Sequence, residues 1–183
     1  WNDRFLAALT GKQVRGVIKH ECLHLIFEHT TTRKYEPHKI WNYATDLAIN
    51  SHLMDELPSF GLFPGRASRP LSDEQKQKMG ADSVKRYEAV SAKIESFPVG
   101  QPAEWYFAQL MEDDEVKNAI DNEDEGGKSL AEALRDGDVK FDDDGNLVDA
   151  DGNPVDIVPG TGTLDDHDGW GDMNEEDREY IKA

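Results

Sequence analysis

Apolar positions recur at helical spacing along much of this chain and give way to short, turn-bounded pieces toward its end. From Lys12 to about Thr30, Val14, Val17, Ile18, Leu25 and Ile26 fall at three- and four-residue intervals or their multiples. That spacing predicts an amphipathic helix with those side chains turned inward. The β-branched run Thr30-Thr31-Thr32 favours its termination, and a basic polar loop follows at 33–39. Residues 40–57 (IWNYATDLAINSHLMDEL) predict a second helix, closed by Pro58. Residues 59–70, with paired prolines, glycines and phenylalanines, read as an irregular loop with apolar anchors. Residues 82–96 predict another helix. One more runs from Pro102 to about Asp113, with Tyr106, Phe107, Leu110 and Met111 on its apolar face. A short helix is expected at 3–9, ended by Thr10-Gly11.

Past Asp113 the pattern changes. Two Asp-Gly signals, DDDGN at 142–146 and DADGN at 149–153, are flanked by Val139 and Phe141, by Leu147 and Val148, and by Val155 and Ile157. Turns of that kind between short apolar pieces predict a small β-meander. Neither Asp-x-Asp-Gly stretch continues to a glutamate at the twelfth position, so a calcium loop is the weaker reading. Residues 114–183 are therefore expected as an acidic region packing on a 1–113 helical core.

Charge sharpens that division. The chain has 183 residues and a net charge of −18. Residues 1–110 carry 14 Lys/Arg against 13 Asp/Glu, whereas residues 111–183 carry 6 against 25. An acidic segment of that kind repels nucleic acid and anionic membrane, and offers a surface to a basic protein partner. No apolar run is long enough to cross a membrane. The single cysteine, Cys22, excludes an intrachain disulfide and agrees with a cytoplasmic protein. Its position within the first long helix is read as a small buried apolar site.

The same helix carries the chemistry. His20-Glu21-Cys22-Leu23-His24 is an HExxH motif. Histidines at i and i+4 share a helix face and can meet on one Zn²⁺, with the intervening glutamate as base for a zinc-activated water. A catalytic zinc site takes three protein ligands. The extended HExxHxxGxxH pattern fails, because Phe27 and Thr30 occupy the Gly and third His positions. A ligand on the next helix is the natural solution. Asp46 stands there among Ala44, Leu47, Ala48 and Ile49, where a lone carboxylate is costly to bury without a metal or cation. Asp55 lies on roughly the opposite face, in a polar helix end. Asn50, one turn after Asp46, is placed to support a ligand. For the developing oxyanion, His167 in DDHDGW is the best distant donor, against a plain solvated histidine. Tyr43 and Tyr106 are further donors that the sequence does not separate. His29, His38 and His52 read as surface or loop residues.

These residues have a familiar arrangement. The run VIKHECLHLIFEHTTTRKYEPHKIWNYATDLAINSHL, 17–53, resembles the metallopeptidase-like domain family often found with von Willebrand A-type domains in bacterial and phage proteins. Members pair an HExxH helix with a helix of pattern N-x-A-x-D-x-x-I-N, here Asn42, Ala44, Asp46, Ile49 and Asn50. Leu57-Pro58, the Pro102-Ala103-Glu104-Trp105-Tyr106 segment with Leu110, and DDHDGW extend the resemblance across most of 1–170. It implies a zincin-like fold, Zn²⁺ on His20, His24 and Asp46, and Glu21 as catalytic base. Family members have strand-forming sequence before the HExxH helix. With Trp1 as the first residue, those strands are expected upstream or lacking.

The expected protein is thus α+β, mainly helical and zincin-like, with an HExxH helix and a small β-meander. Its expected function is that of a zinc-dependent metallopeptidase acting on a protein or peptide substrate in a bacterial or phage setting. The alternative is an inactive zinc-containing binding or regulatory module acting on a protein partner.

Overall fold

The computed structural model of the chain describes residues 6–7, 9–29, 33–58, 61–67, 70–71, 73, 76–77, 80–121, 137, 139–141, 147–149 and 151–152. Within them, five helices precede one small sheet: α1 Gly11–Ile26, α2 His38–Leu53, α3 Ala81–Glu95, α4 Ala103–Met111 and α5 Asp114–Asp121, then β1 Val139–Phe141 and β2 Leu147–Asp149. The mainly helical expectation with a small antiparallel element holds. β1 and β2 pair antiparallel, Val139 opposite Asp149 and Phe141 opposite Leu147. The third expected piece, Val155 to Ile157, lies outside the described residues.

Helix α2 is the axis of the fold. Eleven of its positions are buried, from Ile40 to Leu53, and they occupy nearly every face. On one side Trp41, Ala44 and Leu47 join Val90 and Ile94 of α3, Tyr106 and Leu110 of α4, and Val116 and Ile120 of α5. On the other, Ile49 and Leu53 meet Val17 of α1, with Leu57 and Phe63 from the following loop. A helix apolar all round must be covered all round, and α1 covers the face that carries Asp46 and Asn50.

α1 starts within a residue of its expected place and differs from its expected form at its far end and on its face. Its start is a capping box: the Gln13 N–H donates to Thr10 Oγ1 at 3.3 Å, and the Thr10 N–H donates to Gln13 Oε1 at 2.9 Å. Thr10 therefore opens the helix. The helix ends at Ile26, earlier than the Thr30 expectation. Val17 is buried as expected, but Ile18 and Ile26 are 43 % and 68 % exposed. The buried stripe is instead Gly16, Val17, His20 and His24. Cys22, on the far side of that stripe, is exposed and not buried.

α5 had no place in the sequence expectation, although Val116, Ala119 and Ile120 have helical spacing and fill the core. Asp113 starts it, its Oδ1 accepting from the N–H groups of Glu115 and Val116 at 3.1 and 3.2 Å. The acidic composition there masks an amphipathic helix.

Gly16 sets how closely α1 approaches the end of α2. A Cβ at this position would lie 2.4 Å from the Glu56 carbonyl oxygen. Helix propensity alone favours Gly16→Ala by about 1 kcal/mol. The clash reverses that sign, so the variant should lose about 2 kcal/mol or more in chemical denaturation; a stabilised variant would rule this contact out.

Candidate metal centre

Two helices bring three ligating groups to one buried point. His20 and His24 share the inner stripe of α1, and Asp46 faces them from the middle of α2. All three are at most 1 % exposed. His20 Nε2 and His24 Nε2 are 3.0 Å apart. Asp46 Oδ1 lies 3.2 Å from His24 Nε2 and 3.7 Å from His20 Nε2. Among the described residues this is the one group of three or more His, Cys, Asp or Glu side chains that could hold a metal ion.

The size of that triangle tests whether a metal fits. Tetrahedral zinc with bonds of about 2.0–2.1 Å places its ligand atoms about 3.3 Å apart. The three observed edges bracket that value. Two imidazoles and a carboxylate are also the borderline donor set such an ion takes, whereas calcium and magnesium prefer oxygen throughout.

Asn50 fixes which nitrogen of His20 points inward. The Asn50 side-chain N–H₂ donates to the Leu62 carbonyl at 2.8 Å. A carbonyl only accepts, so the amide orientation is set and Oδ1 faces His20 Nδ1, 2.8 Å away. Nδ1 therefore carries the proton, and the Nε2 lone pair is directed at His24 and Asp46. This is the outer support that metal-binding histidines receive. Asp55, the rival to Asp46, is exposed at the end of the helix.

Glu21 follows His20 on α1. It is half-buried, with one carboxylate oxygen shielded from solvent. Tyr106 is buried, and its hydroxyl donates to the Pro98 carbonyl at 2.7 Å while lying 3.2 Å from Ser51 Oγ. That commitment ties the 98–101 loop to α2 and α4. His167 lies outside the described residues.

His29 lies in the turn after α1, the loop alternative of its expected placement. It is 5 % exposed, not a surface histidine. The cause is the way α1 ends. The Glu28 N–H donates to Leu25 O at 3.1 Å and the His29 N–H to His24 O at 3.0 Å. With Glu28 at φ 58, this is a Schellman ending, in which the residue two past the cap folds back over the last turn. It lays the His29 ring against His24, centroids 5.4 Å apart, and against Trp41 at 5.8 Å. Trp41 Nε1 donates to the His29 carbonyl at 3.4 Å. A left-handed residue is usually glycine; a glutamate there hides the signal. Burial, then the neighbouring His24 and Arg33, pushes the His29 imidazole down to about 3, against the smaller opposing pull of Glu104 and Asp46.

Arg33 closes the arrangement by donating to Glu104 Oε1 at the start of α4. Burial alone would raise the Glu104 carboxyl; the hydrogen bond and charge of Arg33 outweigh it and hold the group below its usual range.

Comparison with known proteins agrees with this geometry. A family model described as a putative metallopeptidase domain matches residues 1–156. No curated protein and no solved structure matches the chain.

Two outcomes are expected. Asn50→Ala should weaken metal binding about 10- to 100-fold in a competition titration with a chelator, because the His20 ring loses its anchor. In an NMR titration His29 should remain neutral through the ordinary histidine value of 6.5 and protonate near 3. Its folded value lies below its unfolded one, so its contribution to stability is complete above 6.5. That contribution, on the order of a few kcal/mol, is lost as pH falls toward 3.

Proposed function

The chain belongs to the putative metallopeptidase domain family, and we propose that it is a zinc-dependent peptidase with His20, His24 and Asp46 as ligands and Glu21 as general base. The buried triangle of two Nε2 atoms and one Oδ1 carries this reading. Two histidines and a carboxylate also form the facial set of non-haem iron. The glutamate that follows His20, in place to act as base for a zinc-activated water, favours zinc.

Bound there, zinc would lower the pKa of water and polarise the carbonyl of the scissile bond. The protein's own residues do the rest. Asn50 keeps the His20 proton on Nδ1, away from the ligand triangle. Packing of α1 on α2 around Val17, Ile49 and Leu53 holds the two histidines against Asp46. Glu21 takes the proton of the attacking water on its carboxylate and returns it to the nitrogen of the leaving amine. His167 stays our candidate for hydrogen bonding the oxyanion.

The substrate is a protein or peptide. We place the reaction in the cytoplasm, in keeping with the single cysteine. No helix among the described residues is long and apolar enough to cross a membrane.

Purified protein should hold about one zinc per chain, and Asp46→Ala should lose it. Glu21→Gln should retain the zinc while cleavage of a responsive peptide falls by about 10²–10⁴. Zinc retained with no cleavage by either form would make the centre part of a binding module instead.

A further inference from the structure

A cavity of about 310 Å³ opens on the far side of His29 from His24. It is walled by Phe27 and His29 from the end of α1, Arg33 from the next loop, Ala48 and His52 of α2, and the 100–104 segment. His29 is thus shared: one neighbour of its ring is a ligand of the candidate metal centre, and it also lines the cavity. Its Nδ1 is buried and has no hydrogen-bond partner among the described residues. An unsatisfied buried nitrogen costs about 1–3 kcal/mol. The Schellman turn and the Trp41 hydrogen bond nonetheless hold the residue in place.

We propose that this cavity receives the side chain of a substrate residue next to the scissile bond. That side chain is uncharged and bears a hydrogen-bonding group, as in glutamine or tyrosine, and His29 is the residue that reads it. The inference rests on the peptidase reading and adds the substrate class to it.

Three features lead to this class. The volume matches ligand pockets, which begin at about 300 Å³, and so admits the largest side chains. Phe27, Ala48, Pro102 and Ala103 supply apolar walls. The charges in the wall are already balanced, because Arg33 is paired with Glu104. A substrate carboxylate would have to take Arg33 from Glu104, and an ammonium would have to take Glu104 from Arg33. Either exchange leaves a partly buried charge alone, which is costly. A neutral side chain disturbs neither. A neutral polar group meets His29 Nδ1 and the Gln101 side chain, which makes no hydrogen bond among the described residues. A site built to hydrogen-bond a substrate group rejects analogues without it, because its own polar atoms are then left unpaired.

The test reads binding and not turnover. N-acetyl amides of glutamine, tyrosine, leucine, glutamate and lysine are titrated into the full chain, with and without a chelator, while the amide signals of Phe27, Ala48 and Ala103 are followed by NMR. The glutamine and tyrosine probes should shift those signals saturably, with the glutamate and lysine probes at least about tenfold weaker. His29→Phe, which keeps a ring in place, should weaken the glutamine and tyrosine probes by about tenfold and leave the leucine probe within about threefold. If His29→Phe does not fold, Gln101→Leu should weaken the glutamine probe in the same sense. A charged probe that binds as well as glutamine, unchanged affinities in both variants, or no saturable shift at the three reporters would each overturn the proposal. Because the chelated protein reports on the cavity alone, a failure of zinc binding or cleavage leaves this result standing. Cleavage without probe binding would remove the subsite and not the peptidase.

Discussion

A carboxylate held out of water between two imidazoles is the constraint on which this structure depends. Asp46 is 1 % exposed on a helix whose other buried positions are almost all apolar. An ion buried in that way costs several kcal/mol unless opposite charge and hydrogen bonds compensate it. His20 and His24 are brought to it because α1 can lie close to α2, and that approach depends on Gly16 having no side chain. The polar residues are also the best-buried stripe of α1, and its isoleucines are left outside. In this helix the chemistry, and not apolar burial, decides which face turns inward.

The second constraint is how α1 stops. Had it run on to Thr30, His29 would lie about 140° around the axis from His24. The Schellman ending folds it back, so that it closes the space beside the metal centre and forms a wall of the neighbouring cavity. The same turn brings Arg33 to Glu104 and so joins the end of α1 to the start of α4. One backbone residue in the left-handed region, Glu28, thus links the candidate centre to its surroundings.

Much of the site was legible in the sequence because its signals are local. Histidines four apart on a helix share a face whatever the fold, and a lone aspartate among Ala44, Leu47, Ala48 and Ile49 shows that something must compensate it. Asn50, one turn on, followed from the same periodicity. Cys22 and His29 depart from their expected exposure for different reasons. Residue type points Cys22 inward, although its angle from His20 and His24 places it outward. His29 depends on a helix ending that Glu28 conceals, since a glycine is the usual mark. α5 was hidden by its acidic composition, although its apolar spacing was present.

The sequence by itself determined four of the five helices, the two histidines on one face and the need for a partner to Asp46, because each depends on residues within a turn or two of one another. Only the tertiary structure decided that Asn50 points its oxygen at His20, since the Leu62 carbonyl that orients it comes from a loop beyond the helix. It also decided that His29 is buried and that a cavity lies beside it, because those facts depend on Trp41, Arg33 and Glu104 meeting across elements distant in the chain. Periodicity specifies which residues share a face; packing decides what that face meets.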